Sequence, residues 1–146
     1  AGGACVSSVD GYQVRGAFSG VVYLDTNGNG TQDGAETGIE SATVVITDAL
    51  GNTYTVTTLA DGSYLQAGVP AGPATVEITA GLPAGAVQTE GTNPNTVTVA
   101  GGSSVSSLDG YQVRGTITGV VYLDTNGNGT QDGAETGIES ATVVIT

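Results

Sequence analysis

The chain has 146 residues, with 25 Gly and 14 acids against two arginines, Arg15 and Arg114, and neither Lys nor His, so its net charge is −12. That balance argues against nucleic acid and anionic membranes as partners, and it excludes imidazole bases, Schiff-base lysines and Ser-His-Asp triads. One cysteine, Cys5, excludes an intrachain disulfide and Cys-rich zinc sites, and no apolar run approaches bilayer length.

In chain order the pattern is that of strands. GAFSGVVYLD (16–25) reads as a first strand and ATVVIT (42–47) as a second. Asp48, Gly51 and Asn52 make a turn into TYTVTT (53–58), with Tyr54 and Val56 on one face. Asp61-Gly62 turns the chain into SYLQA (63–67), which Val69-Pro70 and Gly72-Pro73 interrupt. ATVEIT (74–79) follows, with Val76 and Ile78 inward and Glu77 outward. Residues 80–95, with Pro83 and Pro94, read as a long loop. NTVTVA (95–100) and VSSLDGYQV (105–113) complete the set. The expectation is an all-β chain of seven short strands in a sandwich. Tyr23, Tyr54, Tyr64 and Tyr111 are expected to pack in its core and rim.

Between the first two strands lies DTNGNGTQDGAE, residues 25–36. Oxygen-bearing residues fall at its positions 1, 3, 5, 7, 9 and 12, which are Asp25, Asn27, Asn29, Thr31, Asp33 and Glu36. Gly30 stands sixth. This is the layout of an EF-hand calcium loop, in which the seventh residue gives a backbone carbonyl and the glutamate at the twelfth both oxygens. Alternate residues of a tight loop point inward, and a hard cation takes six to eight oxygens. The same pattern recurs at Asp124, Asn126, Asn128, Thr130, Asp132 and Glu135, with Gly129. Three acids per loop and otherwise neutral ligands predict weak, extracellular-type affinity, ~10⁻⁵–10⁻³ M. A strand rather than a helix enters the loop, so Ca²⁺ would act there as a structural clip. Asp10, Asp48, Asp61 and Asp109 are expected to cap turns.

The recurrence is part of a longer repeat. Residues 1–47 and 100–146 match at 41 of 47 positions, offset by 99. That period is the size of one small β-domain. Residues 16–114 therefore read as one complete unit, 1–15 as the closing strand of a preceding unit, and 115–146 as the first part of a following one. The chain is expected to be a window in a longer tandem array.

From GVVYLDTNGNGTQDGAETGIE through DALGN and LADGSY to ATVEI, the chain resembles the B-type repeats of serine-aspartate-repeat surface adhesins. The Asp/Asn/Gly-rich block is the specific part of the likeness. The resemblance implies a Greek-key, prealbumin- or immunoglobulin-like sandwich, calcium at Asp25, Asn27, Asn29, Asp33 and Glu36, and a stalk role at the cell surface. Some relatives carry a Lys–Asn isopeptide cross-link, which a chain without Lys lacks the means to form. The function expected is therefore structural and non-enzymatic: a tandem-repeat segment of an extracellular stalk, fibre or filament, stiffened by calcium. Its expected partners are adjacent repeats and copies of itself in a fibre. The alternative is a ligand-binding adhesin module, for which loop 80–95 is the candidate surface.

Overall fold

The structure is a computed structural model, described here for residues 9–146. The chain divides after Arg114 into two units. In the first, eight strands follow one another: β1 (Arg15–Leu24), β2 (Thr43–Thr47), β3 (Thr53–Thr57), β4 (Ser63–Pro70), β5 (Gly72–Ala80), β6 (Ala86–Glu90), β7 (Asn95–Val99) and β8 (Ser104–Val113). They form two four-stranded sheets, ordered β4-β1-β8-β6 and β3-β2-β5-β7. Most pairs are antiparallel, but β1 and β8, the first and last strands, run parallel from Ala17 opposite Ser104 to Leu24 opposite Tyr111.

The alternation read from the sequence sets which side chains meet between the sheets. Phe18 and Val22 of β1, Val44 and Ile46 of β2, Val69 of β4 and Val99 of β7 are almost completely buried, with Val76 and Ile78 of β5 close behind. Glu77 faces out between the last two, as strand period demands. The Phe18 and Tyr64 rings stack with centroids 6.0 Å apart. Gly20 lies under the Tyr64 ring, which a Cβ there would strike. Tyr23, Tyr64 and Tyr111 are buried and Tyr54 packs on the core, as expected.

Three features differ from the sequence reading. The sandwich has eight strands, not seven, because residues 86–90 of the expected loop form β6, paired to β8 from Ala86 opposite Val113. AVQTE is short and flanked by Gly and Pro, so its strand character comes from that pairing and not from local propensity. The prolines interrupt less than expected: Pro70 ends β4 and Pro73 is second in β5, positions where a missing N–H costs little. Asp109, expected in a turn, is buried in mid-β8. The Asp109-Gly110 pair is extended in the ladder with β1, and a Cβ at Gly110 would meet the Tyr23 hydroxyl, so glycine serves close packing there.

The part of the expected closing strand at 1–8, with Cys5, lies outside the described residues, and 9–14 form no strand. In the second unit, residues 115–146, an isolated bridge joins Tyr122 to Gly137. Side chains whose counterparts fill the first unit's core are exposed in it, among them Ile117, Val143 and Ile145.

Candidate metal centre

β1 runs straight into the 25–36 loop, and backbone bonds close the loop's mouth. Leu24 N–H donates to the Thr37 carbonyl at 2.9 Å, Ile39 N–H to the Val22 carbonyl at 2.8 Å, and Asp25 N–H to the Tyr111 carbonyl of β8 at 2.9 Å. The last bond ties the first loop residue to the neighbouring strand. Behind it, the Tyr23 hydroxyl donates to Glu90 Oε2 at 2.6 Å, tying the end of β1 to β6.

Within the loop every predicted acidic or amide position is engaged. The wholly buried Asp25 accepts from Gly28 N–H at 2.6 Å and from Gly30 N–H at 2.9 Å. Asn27 Oδ1 accepts from Asn29 N–H, and Asn29 Oδ1 from Thr31 N–H, at 2.9 and 2.8 Å. The amide groups of Asn27 and Asn29 both donate to Asp33 Oδ2, at 2.7 and 2.9 Å. Glu36 Oε1 accepts from Thr26 N–H at 2.8 Å and Oε2 from Asp33 N–H at 3.1 Å, so the twelfth residue laces the two ends of the loop together. Gly30 has φ +72°, and a Cβ there would lie 3.0 Å from the Thr89 carbonyl. The sixth position thus needs glycine for its bend and for β6 beside it. Thr31 enters the network through its N–H, with its side chain exposed.

The electrostatics follow from these donors. The Thr89 hydroxyl is the strongest influence holding the Asp25 pKa below the usual carboxylate range; burial opposes it, and the Gly30, Gly28 and Asn29 amides reinforce it. That hydroxyl is itself buried and meets no partner in full hydrogen-bond geometry. The two arginines lie elsewhere, Arg15 donating to the Gly68 carbonyl at 3.0 Å and Arg114 to Gln112 at 3.4 Å. Among the described residues no three Asp, Glu, Cys or His side chains gather closely enough to hold a metal by themselves. Three carboxylates sit in one short loop and are neutralised only by amides and hydroxyls. Thr89, Glu90 and Tyr111 brace it from β6 and β8. Nothing in their local sequence marks them for this role, because the contact is made across the sheet.

The second loop repeats the geometry without a sandwich around it. Asp124 accepts from Gly127 and Gly129 N–H at 2.6 and 2.8 Å. Asn126 and Asn128 donate to Asp132 Oδ2 at 2.6 and 2.9 Å. Glu135 accepts from Thr125 and Asp132 N–H at 2.9 and 3.1 Å. Thr130 N–H donates to Asn128 Oδ1 at 2.7 Å. Here the Gly129 amide is the main cause lowering the Asp124 pKa, and the Asp132 amide lowers that of Glu135. The loop conformation is therefore encoded locally, and the sandwich adds the complete burial of Asp25 and its contact with Thr89.

Three acids outside the loops divide into two groups. Asp48 caps its turn, accepting from Leu50 and Asn52 N–H and from the Asn52 amide and Tyr54 hydroxyl. Burial pushes its pKa up, but those donors outweigh it and hold it low. The Ser63 hydroxyl and amide lower that of Asp61. Asp109 is the opposite case. It lies between Ser107 and Gln88, facing Glu90, Tyr64 and Tyr111, and burial raises its pKa. The Tyr111 phenol is pushed up to about 12 by burial and by the Asp109 charge. The two groups of acids act on stability with opposite signs. Asp25, Asp48 and Asp61 contribute above the usual Asp value, and that contribution is lost as pH falls through their lowered pKa values. Asp109 contributes below the usual value, and its contribution is lost as pH rises through its raised one. Asp109→Asn, which does not ionise, is therefore expected to gain on the native chain between pH 4 and pH 7 in urea melts. A difference that stays constant with pH would remove Asp109 from this balance.

Comparison with known proteins agrees with this architecture. Residues 17–110 match the model of the SdrD B-like domain. The chain is 36% identical over 138 residues to serine-aspartate repeat-containing protein D of Staphylococcus aureus strain Newman, covering 85% of this chain and 10% of that protein. It is 31% identical over 139 residues to the bone sialoprotein-binding protein of S. aureus strain MRSA252, covering 85% of this chain and 12% of that one. This chain thus spans about a tenth of these relatives. Among solved structures, the minor pilin GBS52 of Streptococcus agalactiae aligns over 73% of this chain and 48% of its own, with TM-score 0.56 and 10% identity. The Bacillus anthracis TIE protein aligns over 68% and 17%, with TM-score 0.53 and 15% identity. Those two likenesses are of fold alone. The shared sequence pattern and two-sheet architecture have one conclusion: the chain belongs to the SdrD B-like domain family of extracellular, cell-surface modules.

Proposed function

We propose that this chain is a length-setting segment of an extracellular stalk or fibre, with calcium in the 25–36 and 124–135 loops stiffening each repeat. One observation carries the structural reading: β1 and β8 lie side by side and parallel. The chain therefore enters the sandwich at one end and leaves it at the other. With 10 residues in each strand, the two points stand about 30 Å apart. Every repeat of this topology adds its length to an array. An antiparallel pair of terminal strands would return the chain to its starting end and add little. Arg114-Gly115 is the whole connection between β8 and the second copy of the first-strand sequence, so no flexible Ser/Gly linker intervenes.

The loop chemistry fits a hard cation. Asp25, Asp33 and Glu36 bring three negative charges with no cationic side chain in the loop, and Asn27, Asn29 and the Thr31 carbonyl supply neutral oxygens. Asn27 and Asn29 turn their amide groups onto Asp33, so partial positive charge faces this carboxylate. The buried Thr89 hydroxyl beside Asp25 adds one more oxygen at the edge of the loop. When bound, the ion would supply charge neutralisation and would tie the loop's carboxylates to one another. Asp25, Asn27, Asn29, Thr31, Asp33 and Glu36 would hold it, with the matching six from Asp124 to Glu135 in the second loop.

Calcium at ten to a hundred times its Kd is expected to stabilise the first unit by ~1–3 kcal/mol through linkage. Its thermal midpoint should rise by about 5–15 °C. Differential scanning calorimetry in millimolar calcium and in chelator measures this, with Asp25→Ala expected to abolish the shift. Equal midpoints in the native chain would sink the calcium reading and leave the parallel-strand argument standing. The ligand-binding alternative has one observation of its own, a cleft of about 550 Å³ where the β3 and β4 edges part, lined by Val56, Leu59, Tyr64 and Leu65. Loop 80–95, the surface expected for it, is instead partly occupied by β6.

A further inference from the structure

Every Asn-Gly pair of the sequence lies in the two loops: Asn27-Gly28 and Asn29-Gly30 in the first, Asn126-Gly127 and Asn128-Gly129 in the second. Asn-Gly is the dipeptide most prone to lose its side-chain amide, because glycine has no Cβ to keep its backbone nitrogen away from the Asn side-chain carbonyl. In that reaction the glycine nitrogen bonds to the Asn Cγ, the Cγ–Nδ2 bond breaks, and ammonia leaves with the glycine N–H proton. Water then opens the five-membered imide at one carbonyl or the other, giving Asp or its β-linked isomer. Two motions are required. The glycine N–H must come free, and the Asn side chain must turn its Cγ onto that nitrogen.

In the first loop both groups are held. Gly28 N–H donates to Asp25 Oδ1 at 2.6 Å and Gly30 N–H to Asp25 Oδ2 at 2.9 Å. One wholly buried carboxylate thus takes both attacking nitrogens, one on each oxygen. Each Asn side chain is fixed at both ends. The oxygens of Asn27 and Asn29 accept from Asn29 and Thr31 N–H, and both amide groups donate to Asp33 Oδ2. Asp25 is braced from outside the loop by its own N–H bond to the Tyr111 carbonyl. In the second loop Asp124 receives Gly127 and Gly129 N–H in the same way.

We propose that Asn27 and Asn29 are deamidation sites guarded by Asp25, and Asn126 and Asn128 by Asp124, so that the modification is made only when a loop opens locally. The product differs from the amide in the group that matters. At residue 27 or 29 a carboxylate would replace a donor to Asp33 and would face that carboxylate as a like charge. The β-linked isomer also adds a backbone atom to a loop whose contacts depend on its spacing. One event therefore removes a hold on the other site, and the loop does not return to its first state. The guard consists of the chain's own groups and is independent of any bound cation. In a stalk, each unit would keep an irreversible record of how often its loop had opened.

Timed peptide mapping by mass spectrometry reads this in the 146-residue chain, with a synthetic peptide of residues 25–36 as the unguarded reference. Asn27 and Asn29 in the native chain should convert at least about tenfold more slowly than in the peptide, since amide–carboxylate bonds are among the stronger hydrogen bonds of a folded chain. Asp25→Ala should bring both close to the peptide rate while Asn126 and Asn128 keep theirs. Asp25→Asn retains one accepting oxygen and sets an NH₂ group against the other glycine. It should speed one of the two sites and not the other, a split that unfolding does not produce. Ile46→Ala, which weakens the sandwich without touching the loop, should leave both sites slow. The proposal fails if native and peptide rates match, if Asp25→Asn speeds both sites equally or neither, or if Ile46→Ala acts as strongly as Asp25→Ala. The native-to-peptide comparison and Asp25→Asn decide the matter even where Asp25→Ala unfolds.

Discussion

Gly38→Ala is expected to remove a large share of the first unit's stability. A Cβ at this position would drive into the backbone of Asp61 and Gly62, where the chain turns from β3 to β4. There is no flexible side chain to give way. Gly62 has φ +77° and is itself pressed against the Val22 carbonyl, so the turn has no room to retreat. The contact also holds the return from the 25–36 loop. Gly38 bridges to Tyr23, and the buried Thr58 hydroxyl donates to the Ile39 carbonyl at 2.7 Å while accepting from Ala42 N–H at 2.8 Å. Two backbones meeting where one must move place the substitution in the upper tail of point-mutant effects, about 4 kcal/mol or more. Against a domain stability of roughly 5–15 kcal/mol, that is a large share. Gly34→Ala, in the same loop with nothing within 4 Å of its Cβ, should change stability by less than about 0.5 kcal/mol. Urea unfolding of both variants compares them, and equal midpoints would refute the close-approach argument.

Ile46→Ala and Ile145→Ala should differ sharply although the residues sit in identical stretches of sequence. Ile46 is wholly buried in β2, opposite Tyr54 on one side and Val76 on the other. Truncating it removes apolar contact and leaves a cavity between packed sheets, which costs about 2–5 kcal/mol. Ile145 lies in the same ATVVIT run and is 66% exposed, so its truncation should cost less than about 0.5 kcal/mol. The pair separates what the sequence specifies locally from what the sandwich adds, because local propensity is the same at both sites. Near-equal losses, measured in chemical melts followed by circular dichroism, would mean that the second unit carries a packed core of its own.

The features legible in the sequence were those that repeat over a few residues. Strand alternation placed Val76 and Ile78 inside and Glu77 outside, and loop spacing picked out Gly30 with its positive φ. Asp25, Asn27, Asn29, Asp33 and Glu36 do share one network, and the second unit shows why they were readable: the loop folds the same way with no sandwich around it. What escaped were contacts between segments far apart in the chain. Thr89 and Glu90 sit in a stretch punctuated by glycine and proline, and only pairing with β8 makes it a strand. Asp109-Gly110 carries a turn signal that tertiary packing overrides, since Gly110 yields space to Tyr23. The parallel alignment of β1 with β8 left no local trace at all.

That alignment also decides how the unit answers a pull on its two ends. Tension applied through Arg15 and Val113 runs along β1 and β8 in opposite directions, lengthwise to the ladder that joins them. The eight residue pairs from Ala17–Ser104 to Leu24–Tyr111 are then loaded together in shear, and none opens first to peel the rest away. Both strands are interior to their sheet, flanked by β4 and β6, so sliding one past the other disturbs those neighbours as well. The Asp25-to-Tyr111 bond extends the clamp to the threshold of the loop. Forced rupture is governed by the barrier to unfolding and not by the modest equilibrium stability of a glycine-rich sandwich. A unit of this topology is therefore expected to resist a pull on its ends more than its equilibrium stability alone would suggest.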